Sequence, residues 1–146
     1  MIGTEIVFDL MLWTFVHGQF VGLPREHPMP LPTVEYVDES RMGERMGFPN
    51  APPLRGAYDR QTMTIVLPLE CEARMTKVCT ATLVHELVHH LSFLTSRPFA
   101  CKGKEEELAY TTSYKWLLDH APSHMGEVAL DPLTWMLATS CNNDMP

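Results

Sequence analysis

The stretch Thr82-Leu83-Val84-His85-Glu86-Leu87-Val88-His89-His90-Leu91-Ser92-Phe93 constrains this chain more than any other. His85, Glu86 and His89 read HExxH. On a helix, residues four apart stand one above the other, so His85 and His89 can aim two imidazoles at one metal ion. Glu86 lies one position round and is the candidate general base for a water on that ion. Val84, Leu87, Val88 and Leu91 form an apolar stripe beside the histidines. That pattern predicts a helix packed on one side and facing a cleft on the other. Thr76 or Thr80 is the expected cap, and Pro98 marks a stop shortly after Ser96. His90 is expected on the far side of the helix, in a structural role. The competing account is a metal-free helix with a solvated histidine face, and context downstream has to decide between them.

A catalytic zinc site takes three protein ligands and keeps one position open for water. Two histidines therefore need a third donor. Glu105, Glu106 and Glu107 open a second helix predicted over residues 104–119. Glu106, Ala109, Tyr110, Ser113 and Leu117 share one face of it. Ala109 is small enough to let two helices approach closely, so Glu106 on its stripe is the first choice of ligand and Glu105 the reserve. Glu105 and Glu107 otherwise suit a solvated acidic first turn, favoured by the helix dipole.

HELVHH followed by Glu106-Glu107-Leu108-Ala109-Tyr110 resembles the gluzincin group of zinc metallopeptidases, in which a glutamate from a following helix completes an HExxH site. The layout also resembles a group of small bacterial zincin-like proteins. Their pattern is an N-terminal helix, a proline-flanked strand, a hairpin, HELVHH, a cysteine, then ExxAY and a Trp-Leu pair, here Trp116-Leu117. The resemblance implies one zinc ion held by His85, His89 and Glu106, with Glu86 as the acid/base. It implies a metallopeptidase acting on a peptide or protein substrate, or a binding module on the same scaffold with a structural or vestigial zinc. Larger members of the thermolysin group carry an aspartate four residues after the ligand glutamate, which orients the first histidine. This chain has Tyr110 there, a second candidate catalytic residue. Candidates for the group that stabilises the oxyanion in larger enzymes are Tyr110, Tyr114, His120 and His124. The implied fold is α+β: a minimal zincin-like domain over residues 1–146. It comprises a small, mostly antiparallel sheet against the HExxH and glutamate-bearing helices, with further helices at both ends.

A formal net charge of −7 argues against nucleic acid or anionic membrane as partner, since both call for basic surface. Residues 2–21 are apolar but interrupted by Glu5 and Asp9, with no basic start or small-residue cleavage site. They read as neither a signal peptide nor a membrane span. Four cysteines allow three disulfide pairings. Close spacing favours Cys71 with Cys79, leaving Cys101 with Cys141; free thiols or thiolate ligands are the alternatives, the latter without any CxxC pair to support them. Disulfides would favour an extracytoplasmic setting.

The remaining elements follow from local signals. An N-terminal helix from Thr4 to Gly18 is expected to pack through Ile6, Leu10, Trp13 and Val16 or His17. A proline-rich connector over residues 23–32 includes His27, which has no assigned role. Thr33–Val37 alternates as a strand, with Val34 and Tyr36 on one face. Asp38 or Ser40 caps a short helix through Met46, and residues 48–56 form a loop. Ala57–Asp59 and residues 63–67 form two strands, the second a candidate sheet edge over the cleft that could pair with an extended peptide. After a loop over residues 121–126, Asp131-Pro132 starts a last helix reaching about Ser140, with Leu133, Met136 and Leu137 for packing.

Overall fold

A computed structural model describes residues 2–22, 29–48 and 55–141. Its centre is helix α4, Lys77–Thr95. Thr76 caps it, its hydroxyl accepting the backbone N–H of Cys79 at 3.1 Å, while Thr80 turns its own hydroxyl back to the Thr76 carbonyl. The helix stops where Ser96 enters the left-handed region at φ 52, just before Pro98. Leu83, Leu87, Val88 and Leu91 enter the main core, and Ala81 and Val84 pack against Trp116 and Leu117 of the next helix. His85, Glu86 and His89 occupy the remaining face, on a cleft.

Helix α1, Thr4–His17, lies against α4. Its packed face is Val7, Met11 and Thr14, with Leu10 and Trp13 at the border. Ile6 and Val16, expected on that face, are exposed. The segment is apolar on nearly every side, so helical periodicity does not choose the buried stripe. Residues 23–28, with His27, lie outside the described residues, as do residues 49–54 of the expected loop.

Strand β1, Thr33–Val37, leads into a turn capped by Asp38, whose carboxylate accepts the N–H of Ser40 at 3.0 Å. The turn, Glu39–Arg41, is 3-10 and continues as α2, Met42–Arg45. Strands β2, Ala57–Asp59, and β3, Thr64–Pro68, form a hairpin. Asp59 accepts the Gln61 N–H in the turn, and Met63, expected in the strand, takes φ 50 there instead.

The sheet is mixed, in the order β1-β3-β2, rather than mostly antiparallel. β1 pairs parallel with β3, from Thr33 opposite Thr64 to Val37 opposite Pro68, and β2 pairs antiparallel. The tight hairpin sets β2 antiparallel to β3; β1 lies on the other side of β3 and runs parallel to it, which the long connection through α2 and β2 allows. β3 is therefore the central strand, buried along its whole length, and not the sheet edge. The edge that borders the cleft is β2, through Ala57 and Tyr58.

A short helix α3, Glu70–Ala73, is tied to the first turn of α4 by the Cys71–Cys79 disulfide. Helix α5, Lys102–His120, packs along α4, with Ala109 fully buried in the seam. A 3-10 turn, Pro122–His124, and helix α6, Met125–Val128, stand where a loop was expected. Helix α7, Pro132–Thr139, starts at Asp131, which accepts the Thr134 N–H at 2.9 Å. Leu133, Met136 and Leu137, expected to pack, are exposed. Trp135 faces Tyr110 and Tyr114 of α5 instead, and Thr139 is buried. Among the described residues, no helix is long and apolar enough to cross a membrane.

The Cys101–Cys141 disulfide joins the start of α5 to the residue after Ser140, a separation of 40 residues. A loop of that length loses about 4 kcal/mol of unfolded-state entropy in the chain-entropy account. Beside it, Gly103 is fixed by packing. A Cβ there would stand 2.5 Å from the Ser140 carbonyl oxygen and 2.8 Å from the Thr139 carbonyl carbon. These are backbone atoms anchored by the neighbouring disulfide. Gly103→Ala should therefore lower stability by about 1–3 kcal/mol, although alanine is the better helix former. Thermal unfolding followed by circular dichroism checks this; an unchanged or raised Tm contradicts it.

Candidate functional site

The seam between α4 and α5 places His85, His89 and Glu106 together, with one donor atom of each lying within 4.8 Å of the others. Nε2 of His89 is 2.8 Å from one Glu106 oxygen, and Nε2 of His85 is 3.3 Å from the other. Glu86 Oε1 stands 3.9 Å from His85 Nε2. These groups form the floor of a cleft of about 1040 Å³, walled by Gly56, Ala57 and Tyr58 on one side and Tyr110 and Tyr114 on the other. Gly56 is needed by the close approach: a Cβ there would meet the Thr82 methyl at 2.7 Å and Glu86 at 3.4 Å.

Glu105, the reserve ligand expected to be solvated, is buried and does something else. His89 donates its Nδ1–H to Glu105 Oε2 at 2.6 Å. Arg60, from the β2–β3 turn, donates Nη2 to both Glu105 oxygens, at 3.0 and 3.1 Å. A carboxylate on the far nitrogen fixes the ring's orientation and tautomer and leaves Nε2 to face the cluster. Glu107 follows the expectation: it is half-exposed and pairs with Lys104 at 2.9 Å.

The electrostatics follow from burial and pairing. Burial alone would lower the His89 pKa, but Glu105 and Glu106 overcome it and raise it to about 10. Burial would raise Glu106, yet its bonds to His85 and His89 hold it below the ordinary carboxylate range. Glu105 is likewise lowered: burial pushes it up, and His89 and Arg60 outweigh that. Glu86 is the exception. Burial pushes its carboxyl up, and the attraction of the histidines does not cancel the push. It is thus the one carboxyl of the cluster shifted toward its protonated form.

Tyr110 places its ring edge-on against His85, with centroids 4.4 Å apart, and burial raises its hydroxyl to about 12. Tyr114 accepts the Leu130 N–H at 3.0 Å. Both tyrosines line the cleft; among the described residues lining it, His120 and His124 are absent. His120 stacks on Trp116, and His124 pairs with Glu127. From sequence Glu105 was only a reserve ligand or a solvated first-turn acid, and its bond to His89, like Arg60 and Gly56, carried no signal of its own. The one local signal was the adjacency of Glu105 and Glu106, which lets consecutive helical positions serve different partners.

His90 is fully buried and points away from the cluster. It accepts the Tyr58 hydroxyl at Nδ1, 2.7 Å, and donates Nε2–H to the Pro30 carbonyl, 2.9 Å. The ring is therefore a neutral strut between β2, α4 and the connector, as its expected structural role requires.

Fold and site together define an α+β chain with a two-histidine, one-glutamate donor cluster on the floor of a cleft. The chain belongs to the family described as "Domain of unknown function (DUF6647)", whose model matches residues 4–145. Comparison with curated proteins and with solved structures returned no match.

The His90 environment gives a pH test. Burial lowers its pKa below the unfolded value of about 6.5, so below that pH the unfolded chain binds the extra proton. Its contribution to stability is complete above the unfolded pKa and lost as pH falls toward the folded one. Relative to His90→Gln, the native chain should lose stability on acidification, by up to about 1.4 kcal/mol per pH unit for one proton. Urea unfolding across that range measures it, and parallel pH profiles for the two proteins would remove the argument.

Proposed function

We propose that this chain is a zinc-dependent hydrolase, a gluzincin-like metallopeptidase with a minimal zincin-like fold. The observation that carries the reading is the convergence of donor atoms from His85, His89 and Glu106 within 4.8 Å, beside a buried Glu86. Two imidazole nitrogens and one carboxylate are the donor chemistry that a catalytic zinc takes while keeping a position open. The orienting bond from Glu105 to His89 fits the same reading. When bound, zinc lowers the pKa of a coordinated water toward about 7 and polarises a carbonyl oxygen.

The chain's own groups account for the rest. His85 and His89 present nitrogens from successive turns of one helix, so their separation is set by backbone hydrogen bonds. Glu105 holds the Nδ1 proton of His89 while Nε2 serves as donor. Glu86, with its raised pKa, takes the proton of the attacking water at a carboxylate oxygen and passes it to the leaving amine. Tyr110, which lines the cleft with its ring against His85, would donate its hydroxyl proton to a developing oxyanion. β2 is the sheet edge beside these groups, where an extended substrate could pair. Two disulfides support an extracytoplasmic setting for this activity.

Two measurements test the reading. Metal content should be one zinc per native chain and unchanged in Glu86→Gln, while peptide cleavage by that variant falls at least about 100-fold. His85→Ala and His89→Ala should each lose the metal; full zinc occupancy after both are replaced sinks the assignment. A zinc-loaded chain that leaves a broad peptide library intact would favour a peptide-binding module instead. In chelator competition, Glu105→Gln should bind zinc about 10–100-fold more weakly, and native affinity would contradict the orienting role.

A further inference from the structure

We propose that the cleft selects peptides carrying a carboxylate side chain, and that Arg55 is the residue that reads it. This rests on the metallopeptidase reading and names its substrate class. The chain as a whole has a formal net charge of −7, so its general surface offers an acidic peptide no attraction. Within the cleft, charge is sorted by depth. The lining carboxylates, Glu86, Glu105 and Glu106, turn inward on the histidines, with side chains 7%, 9% and 25% exposed. The lining cations, Arg55, Arg60 and Lys102, are exposed at the rim. Among the described residues lining the cleft, the most exposed charges are therefore positive. Low-dielectric walls focus such charge on a ligand that enters.

Arg55 and Arg60 stand on either side of β2, before Gly56 and directly after Asp59. At about 3.3 Å per residue, extended chain separates them by on the order of 15 Å along the wall. They are not equivalent. Arg60 gives Nη2 to both oxygens of Glu105, so a carboxylate of this chain already meets its charge. Arg55 gives Nη1 to the Glu127 carbonyl at 2.8 Å. That acceptor is neutral, so it steadies the guanidinium without cancelling its charge. Among the described residues the rest of the planar fork meets no carboxylate, the partner that guanidinium binds best. Arg55 lines the same cleft as His85 and Tyr110 and directly precedes Gly56, whose backbone lies against Thr82 and Glu86. Apolar lining such as Phe48, Phe99 and Leu130 can hold a side chain but cannot distinguish a carboxylate from its amide.

The test uses labelled alanine-based peptides that differ at one position, Glu, Gln or Lys. They are titrated into the zinc-loaded Glu86→Gln chain and followed by fluorescence anisotropy, with cleavage by the native chain in parallel. The Glu peptide should bind at least about fivefold more tightly than the Gln peptide at low salt, the gap shrinking as salt rises. Arg55→Gln should close the gap by weakening the Glu peptide, and Arg55→Glu should turn the preference toward the Lys peptide. Equal binding of Glu and Gln peptides, no binding of any, or a gap that survives Arg55→Gln each overturns the proposal. Cleavage of Glu and Gln peptides alike would overturn it while leaving the metallopeptidase reading intact. A charge preference without zinc or cleavage would sink that reading and leave the selection by Arg55 standing.

Discussion

Burying charge without a partner is the constraint on which this structure turns. Glu86, Glu105, Glu106, His85 and His89 crowd into one seam between α4 and α5, mostly out of water. Each buried ion loses several kcal/mol of solvation, and a partner must return it. Surface ion pairs such as Lys104–Glu107 contribute at most about 1 kcal/mol and do not shape the fold. The buried set does. Each carboxylate that is held charged has an imidazole or guanidinium against it, and Glu86, which has the least, is pushed toward its neutral form. Under the proposed reading, a divalent cation held by His85, His89 and Glu106 would take the place of protons as the counter-charge.

Packing keeps the seam narrow enough for this. Ala109 lets α5 approach α4, and Gly103 lets the start of α5 sit directly on the backbone that ends α7. The Cys101–Cys141 disulfide pins the same corner, one turn before Glu105 and Glu106. The covalent staple and the smallest residues thus lie on the element that must be positioned most tightly. The other face of α4 is ordinary core, where Leu83, Leu87 and Leu91 meet the sheet and α1. One helix therefore serves as a packing centre and a ligand platform, and its two faces do not compete.

What could be read from the residues alone is what short-range chemistry decides. The α4 cap at Thr76, its end at Ser96, the strand Thr33–Val37, the Asp131 start of α7 and both disulfides were legible as turn chemistry, periodicity and spacing. The pairing of His85 with His89 was legible because helical spacing alone aligns them, and Glu106 followed from its place on the Ala109 stripe. What escaped depends on distant partners. The parallel pairing of β1 with β3 is allowed by a long connection, and no local signal in Thr33–Val37 specifies it. The buried stripe of α1 was ambiguous because Ile6, Val7 and Phe8 are all apolar. Glu105 looked like a solvated helix start because its counter-ion, Arg60, lies 45 residues away.

The pair Glu105-Glu106 also explains why a tyrosine at position 110 is compatible with an ordered site. In a helix, consecutive residues point about 100° apart, since one turn holds 3.6 residues. Two adjacent glutamates therefore cannot approach a ring from the same side, but they can bracket it. Here Glu105 meets His89 at Nδ1 and Glu106 meets it at Nε2, at 2.6 and 2.8 Å. It is thus the second histidine of the motif, His89, that receives the additional carboxylate, Glu105. His85 is restrained differently, by the Tyr110 ring against its face. An aspartate at 110 would add a further carboxylate to a seam that already holds three. The aromatic ring fills the space without adding charge, and Arg60 is left to balance Glu105 alone.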